Sequence, residues 1–369
     1  MQDTSQPSTP SDTRPPRLSV LMPVYNAMAY LDEAVQSILN QTWRDFELIL
    51  MDDDSTDGSW DALLAYAQAD SRVVARKFNH TGHADLMNEG LKLAKADLIA
   101  VMHSDDIALP DRFEKQIAYM DTHPDIQVLG TAYRILAGSQ PTQCIMTNPT
   151  TPAGVDATLK QGCCVGHPTV MFRKAAVLQA GGYHKHLVPA EDYDLWMRLT
   201  SHRPGIVANL PDCLLMYRIH ARQASTAGMM KTIVITEAIK HNHNKAAHAQ
   251  QPPVNVNEPI TYERVAQAIG PDTLNRRIIQ GYCLRLAQFR QWGIQEADTR
   301  QAREDLLAFA AEHHLKAYAR ARLALAYACA PENSTSPITR FSRWLQAAGR
   351  ACLSLEFQKD VLRKLTGRP

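Results

Sequence analysis

Leu98-Ile99-Ala100-Val101-Met102-His103-Ser104-Asp105-Asp106 decides how the rest of the chain is read. Five apolar residues without polar alternation are what a strand buried on both faces requires. The adjacent carboxylates that follow mark where the chain leaves the core. The same succession occurs upstream: Leu18 to Met22 runs into Pro23-Val24-Tyr25-Asn26, and Phe46 to Met51 runs into Asp52-Asp53-Asp54-Ser55-Thr56-Asp57-Gly58. Helical periodicity fills Tyr30 to Leu39, Trp60 to Ala67 and Ala84 to Ala94, with a further β-rich run at Arg72 to Phe78. This βαβαβαβ alternation predicts an α/β fold whose mostly parallel sheet is flanked by helices on both faces. Ligands are then expected at the carboxyl ends of the strands.

Downstream the pattern loosens. A helix is expected over Asp111 to Asp121, a strand around Gln127 to Leu129, and a loop over the Thr-, Pro- and Gln-rich stretch from Gly138 to Pro152. Helices follow from Arg173 to Gln179, stopped by Gly181-Gly182, and from Glu191 to Ser201, with strands at Ile206 to Ala208 and Leu214 to Arg218. After Gly228 the composition turns to Ala, Arg, His, Gln and Leu with helical period through Leu365, broken at Pro252-Pro253, Gly270-Pro271 and Pro331 to Pro337. The expected organisation is a disordered tail over residues 1–16, an α/β domain over 17–228 and an all-α C-terminal appendage over 229–369. The tail lacks the apolar block of a signal peptide.

Composition narrows the function classes. Thirty-nine Lys and Arg against 38 Asp and Glu leave a net charge of +1, so no global field draws nucleic acid or anionic lipid. No stretch reaches the ~20 consecutive apolar residues of a membrane span. Seven cysteines without a C-x-x-C pair point to reduced thiols and a cytoplasmic setting. Adjacent Cys163 and Cys164 do not suit one tetrahedral zinc and read as packing residues.

The strand ends carry the chemistry. Pro23 to Asn26 lacks the glycines of a dinucleotide fingerprint. A ring and a carboxamide there could stack on and hydrogen-bond a planar base, or Pro and Asn could simply turn the chain into the next helix. Four carboxylates within Asp52 to Asp57 repel one another; Asp53, directly after a buried strand, is placed to accept from a base N–H. Asp105-Asp106 offer hard oxygen ligands of the kind that hold Mg²⁺ or Mn²⁺ against a phosphate. Glu191-Asp192 open a helix, where the dipole favours acids in any case and also keeps a carboxylate ionised to act as a base.

In order and spacing these elements resemble the family-2 glycosyltransferases, inverting GT-A-fold enzymes that move a sugar from a nucleotide diphosphate to an acceptor. The resemblance runs from about Leu18 to Ser225 and includes Pro110-Asp111-Arg112, Gly181-Gly182-Tyr183 and Tyr217-Arg218-Ile219-His220 besides the acidic strand ends. It implies a GT-A-type mixed, mostly parallel sheet, with Tyr25 stacked on the nucleobase in a donor site lined by Pro23, Val24 and Asn26. It further implies that Asp53 accepts from the base and that Asn88 lies in the helix flanking the donor. Asp105 would reach the ribose or bridge toward the metal, and Asp106 would coordinate a divalent cation, Mn²⁺ or Mg²⁺. Asp192 would deprotonate the acceptor, with Glu191 the second candidate. Arg218 and His220 would close the site, His220 on metal or phosphate. The implied partners are a nucleotide sugar, UDP-linked for preference, and a glycan or lipid-linked acceptor of bacterial surface polysaccharide synthesis.

The chain departs from the family pattern in three places. His103 stands where Asp is usual, Asp54 stands where Gly or Asn is usual, and His83, Asp85, Leu86 and Met87 stand where Arg or Lys often reaches the phosphates. The Gln-x-x-Arg-Trp signature of polymerising members is absent from the sequence, which favours addition of a single sugar. A sugar-1-phosphate nucleotidyltransferase would need a Gly-rich basic loop after the first strand, which this sequence lacks. A non-catalytic scaffold acting through its helical tail is the other alternative. That tail, with Arg340, Arg343, Arg350, Arg363, Lys364 and Arg368, would permit dimerisation or a peripheral contact at the inner membrane face.

Overall fold

The computed structural model describes residues 14–220, 228–243, 252–291, 296–315, 318–319 and 322. Most of the expected N-terminal tail and the C-terminal basic residues Arg340 to Arg368 lie outside them. The parallel half of the sheet forms as the apolar runs demand: β1 (Leu18–Val24), β2 (Phe46–Asp52), β3 (Val73–Lys77) and β4 (Leu98–Val101), side by side in the order β3-β2-β1-β4. Leu18 is level with both Phe46 and Leu98, so the chain exits of β1, β2 and β4 come out along one edge.

Side-chain alternation covers both faces. On one face, Leu18, Val20, Met22, Leu48 and Leu50 pack against α1 (Leu31–Leu39) and α4 (Arg112–Thr122). On the other, Leu21, Ile49, Met51, Ile99 and Val101 meet Ala84, Leu86, Met87 and Leu91 of α3 (His83–Leu93). The helix α2 (Ser59–Ala69) starts behind Gly58, whose φ of +91° is a conformation that glycine adopts without steric cost.

Beyond β4 the sheet becomes mixed. It continues through β8 (Met171–Arg173), antiparallel to β4, to β6 (Val128–Ala137), which runs antiparallel to β8 and parallel to β9 (Val207–Ile219). A two-residue strand, β5 (Ile107–Ala108), closes the edge on β9.

Three sequence expectations are corrected here. The stretch from Gly138 contains β7 (Gln140–Met146), hairpinned onto β6 through Gly138 at φ +59°. Its polar, Pro-containing sequence suits a strand exposed at an edge and hides it from an apolar-run reading. The same stretch ends at α5 (Pro152–Leu159), capped by Thr151, whose Oγ1 accepts from Gly154 N at 3.2 Å. The two short strands expected at 206–218 form one strand, because Pro211 and Asp212 are absorbed as a bulge between Leu210 and Cys213. The strand expected at Gln127 to Leu129 runs on to Ala137, since Gly130 and Thr131 still pair with Asn209 and Leu210.

After α6 (Lys174–Gln179) and α7 (Glu191–His202) come the C-terminal helices α8 (Met229–His243), α9 (Tyr262–Ile269), α10 (Pro271–Gln291) and α11 (Glu296–Glu312). Their apolar residues, among them Val234, Ile235, Ile239, Leu274 and Ile278, join the cluster containing Trp196 and the α3 face of the sheet. Among the described residues no helix is long and apolar enough to cross a membrane.

Candidate active site at the strand ends

The exits of β1 and β2 are knitted into one loop pair. Asn26, held at φ +49°, donates its N–H to Ser55 Oγ at 2.9 Å and accepts from Thr56 N through Oδ1 at 2.8 Å. Asp57 accepts from Met28 N at 3.0 Å, and the buried hydroxyl of Ser59 accepts from Ala27 N at 3.0 Å. Tyr25 stays half-exposed, its ring 4.9 Å from that of His80. The buried carboxylate of Asp53 accepts from Thr81 N at 2.6 Å and Gly82 N at 3.1 Å. It also accepts from Thr81 Oγ1 at 3.2 Å and so holds the turn that launches α3, leaving about one of a carboxylate's roughly four lone-pair sites. Asn88 clamps α3 to the following layer: its Nδ2 donates to Tyr183 O and its Oδ1 accepts from Tyr183 N, both at 2.9 Å.

The exit of β4 carries the acids. Asp106 is fully buried. Its Oδ1 accepts from Arg218 N at 2.8 Å, whereas Oδ2 is buried with no hydrogen-bond partner. Burial and then the neighbouring charge of Asp105 push the Asp106 carboxyl well above the usual range. Asp105 is held low: burial opposes its charge, but His220 Nε2, 3.0 Å from its Oδ2, and the nearby His103 together outweigh that cost. Arg218 is buried, with Nε donating to Asp105 O at 2.7 Å and the remaining nitrogens directed at Gly138 O and the Glu33 carboxylate. Its guanidinium lies 4.4 Å from the Tyr30 ring centroid. The expected pair Arg218 and His220 thus meets the acidic loop directly, Arg218 from inside the protein. His103, Asp105 and Asp106 each bring one donor atom into a group within 4.8 Å.

The first turn of α7 faces this loop through histidines. Glu191 is buried, with Oε1 2.7 Å from His83 Nδ1 and Oε2 without a partner. Asp192 is half-buried and accepts from Tyr193 N at 2.7 Å; burial and the adjacent Glu191 raise its carboxyl to about 7. Burial disfavours the charge of His83, yet Glu191, Asp192 and Asp53 together raise its pKa, so acids from two chain segments act on one imidazole. The ring of His83 stands 5.7 Å from His103, whose Nδ1 is 3.9 Å from Asp106 Oδ2. The two acidic elements are therefore joined through two imidazoles.

Sequence reasoning singled out His83 and His103 only as departures from the family pattern. The structure brings them together with His167: His103 Nε2 is 3.0 Å from His167 Nδ1, and His167 Nε2 is 3.0 Å from Tyr183 Oη. His83 begins α3, His103 follows β4 and His167 sits in a 3₁₀ turn before β8. No local spacing links them, so no linear motif could have revealed the cluster.

Comparison with known proteins adds four findings. The model of glycosyl transferase family 2 matches residues 19–178. The O-antigen biosynthesis glycosyltransferase WbnJ of Escherichia coli is 34% identical over 217 residues, covering 58% of this chain and 83% of that protein. The E. coli UDP-Glc:alpha-D-GlcNAc-diphosphoundecaprenol beta-1,3-glucosyltransferase WfaP is 31% identical over 63% of this chain and 88% of its own. Among solved structures, Staphylococcus aureus TarS 1-349 in complex with UDP-GlcNAc superposes with a TM-score of 0.51 at 14% identity, covering 95% of this chain and 92% of that one, a likeness of fold.

Proposed function

From the premise that the chain belongs to glycosyl transferase family 2 and has the GT-A fold of that class, we propose that it transfers a single sugar, with inversion, from a UDP-sugar to a lipid-linked glycan. The setting we assign is bacterial surface polysaccharide synthesis. The names of WbnJ and WfaP support the setting, the donor and the acceptor class. The observation that carries the mechanism is the half-buried Asp192, whose carboxyl is raised to about 7 by burial and by Glu191 beside it. A base of that basicity accepts an acceptor proton as the hydroxyl attacks and is ionised at neutral pH in a substantial fraction of molecules.

The roles follow from placement. Tyr25, with Pro23, Val24 and Asn26 behind it, offers an exposed ring for a nucleobase, and Asp53 orders the turn beside it. Asn88 and Arg218 are positioning residues, the first fixing α3 and the second fixing the acidic loop. The donor set fits a divalent cation: the buried Asp106 Oδ2 has no other partner, and Asp105 and His103 stand within reach. Asp106, Asp105 and His103 would hold it, with His220 orienting Asp105. Such an ion, Mn²⁺ or Mg²⁺, supplies charge neutralisation for a departing diphosphate. On the acceptor side Asp192 takes the proton, and Glu191 is committed to His83. A single base opposite the leaving group gives inversion, unlike the paired carboxylates of retaining glycosidases.

The test is a panel of UDP-, GDP- and dTDP-sugars with diphosphopolyprenyl-linked glycans, scored by nucleotide release and by the anomeric configuration of the product. UDP release with an inverted linkage is expected. Transfer only from another nucleotide, or a retained configuration, overturns the corresponding part of the reading.

A further inference from the structure

We propose that His83, His103 and His167 form a nitrogen-donor site for a transition-metal dication such as Zn²⁺ or Co²⁺. Each ring brings one nitrogen into a group whose members lie within 4.8 Å of one another. The ring centroids are 5.2 to 5.7 Å apart, with 5.2 Å for His103 and His167, 5.5 Å for His83 and His167, and 5.7 Å for His83 and His103. The three residues come from the first turn of α3, the exit of β4 and the turn before β8. They are anchored in regular structure, so the cluster is set before any ion arrives.

His167 has a hydrogen-bonding neighbour of the kind that orients a metal-binding imidazole, and His83 and His103 each turn a nitrogen toward a carboxylate. His83 Nδ1 is 2.7 Å from Glu191 Oε1, His167 Nε2 is 3.0 Å from Tyr183 Oη, and His103 Nδ1 faces Asp106 Oδ2 at 3.9 Å. Among the nitrogens the rings turn to one another, His103 Nε2 and His167 Nδ1 lie 3.0 Å apart, and His83 brings one nitrogen into the same group. A shared proton can serve one such pair, but a cation serves all three nitrogens at once.

An independent observation comes from the carboxylates. Asp106 Oδ2 and Glu191 Oε2 are buried beside the cluster and have no hydrogen-bond partner. Two uncompensated buried oxygens of ionisable groups are costly without nearby positive charge. A dication among the imidazoles places that charge between them. Imidazole donors select Zn²⁺, Co²⁺ or Ni²⁺ over Mg²⁺, and three protein ligands leave a coordination position open. His103 also belongs to the group with Asp105 and Asp106, so what distinguishes this site is ligation by His83 and His167. The inference shares His103 and the Asp106 carboxylate with the cation group proposed for the donor, but neither Asp192 nor the transfer reading rests on His83 and His167 as ligands, so its failure would leave them untouched.

The decisive measurement uses the full chain, stripped with a chelator and reloaded with one equivalent of Zn²⁺. X-ray absorption should show the multiple-scattering pattern of three imidazoles, and Co²⁺ titration should give visible bands saturating at one ion per chain. His83→Gln and His167→Gln should each weaken Co²⁺ binding about 10- to 100-fold, while Asp105→Asn should keep the imidazole pattern. An oxygen-dominated shell or fewer than two imidazoles in the unsubstituted protein overturns the proposal without recourse to any variant. So does the absence of binding at millimolar metal, or Co²⁺ binding that Asp105→Asn removes and the histidine substitutions do not.

Discussion

Asp192 and Asp106 both carry carboxyls raised by burial and by an adjacent acid, yet the consequences differ. In its proposed role as base, Asp192 works only when ionised, so kcat/KM should rise about tenfold per pH unit below about 7 and level off above it. Asp192→Asn should lower kcat by at least about a hundredfold and leave UDP affinity in isothermal titration within a factor of three. An unchanged pH profile in the variant's residual activity would show that another group titrates. For Asp106 the linkage concerns stability. Its folded pKa lies above the unfolded value, so the native state holds the extra proton between the two, and stability falls as pH rises through that window. Asp106→Asn keeps an oxygen for the Arg218 N–H and removes the buried charge. In chelator it should be more stable than the unsubstituted chain at pH 8 by about 1–3 kcal/mol, with a smaller gap at pH 4, as thermal melts would read. The cost of the same change is loss of cation-dependent UDP binding. Asp53, Asp105, Asp106 and Asp192 were legible as residues because each follows a buried strand or opens a helix. The histidines between them were not, since their meeting depends on pairing through β8, where sequence separation carries no signal.

Between elements, two clamps position α3 and α7. Asn88 spends both ends of its carboxamide on the Tyr183 backbone, and Gly182 sits at φ +70° where a Cβ would lie 2.5 Å from Asn88 Oδ1. Asn88→Ala should cost about 2–3 kcal/mol, because it strands a backbone N–H and a carbonyl. Gly182→Ala should cost a similar amount through strain and the displaced amide. The double variant should fall short of the sum, since both break one contact; additive losses in denaturant melts would contradict the clamp. The second centre is Asp194, buried on α7, which receives Arg198 Nε at 2.8 Å and has His184 Nδ1 at 3.0 Å and His243 Nε2 of α8 at 3.8 Å. Burial alone would raise its carboxyl, but these neighbours outweigh burial and hold it well below the usual range. A depressed folded pKa contributes stability that is present above the unfolded pKa near 4 and is lost as pH falls toward the folded one. Asp194→Asn should therefore cost about 3 kcal/mol at pH 7, and the difference from the unsubstituted chain should shrink steadily below pH 4. The elements of the parallel half could be read from apolar runs such as Phe46 to Met51, because burial on both faces leaves no other composition. The edge strand β7 and the bulged β9 could not, since solvent exposure and an inserted Pro-Asp pair erase the same signal.

At the scale of the whole molecule, the C-terminal helices share the core on which α7, the helix carrying Asp192, rests. Tyr193, Leu195 and Trp196 on α7 belong to one apolar cluster with Val234, Ile235, Ala238 and Ile239 of α8 and with Leu274, Ile278 and Ile279 of α10. Ion pairing extends the contact, because Arg277 of α10 meets the buried Glu237 of α8 at 2.6 Å. Each Val or Ile so buried contributes about 1.5–3 kcal/mol, against a typical net domain stability of about 5–15 kcal/mol. Removing α8 would expose several of them together with the inner face of α7. A chain ended after residue 228 should therefore bind a hydrophobic dye, melt broadly and lose transfer activity, because Glu191 and Asp192 are carried on the helix left uncovered. The full chain should unfold in one calorimetric transition. Two separated transitions, or a shortened chain that melts sharply and still transfers sugar, would mean that the α/β unit holds its acceptor-side base unaided and that the helices serve another purpose. The donor side offers an internal control: Tyr25 and Asp53 lie on the loops after β1 and β2, away from α8, so UDP binding should survive the shortening better than turnover. A loss of both in equal measure would place the damage in the sheet rather than in α7.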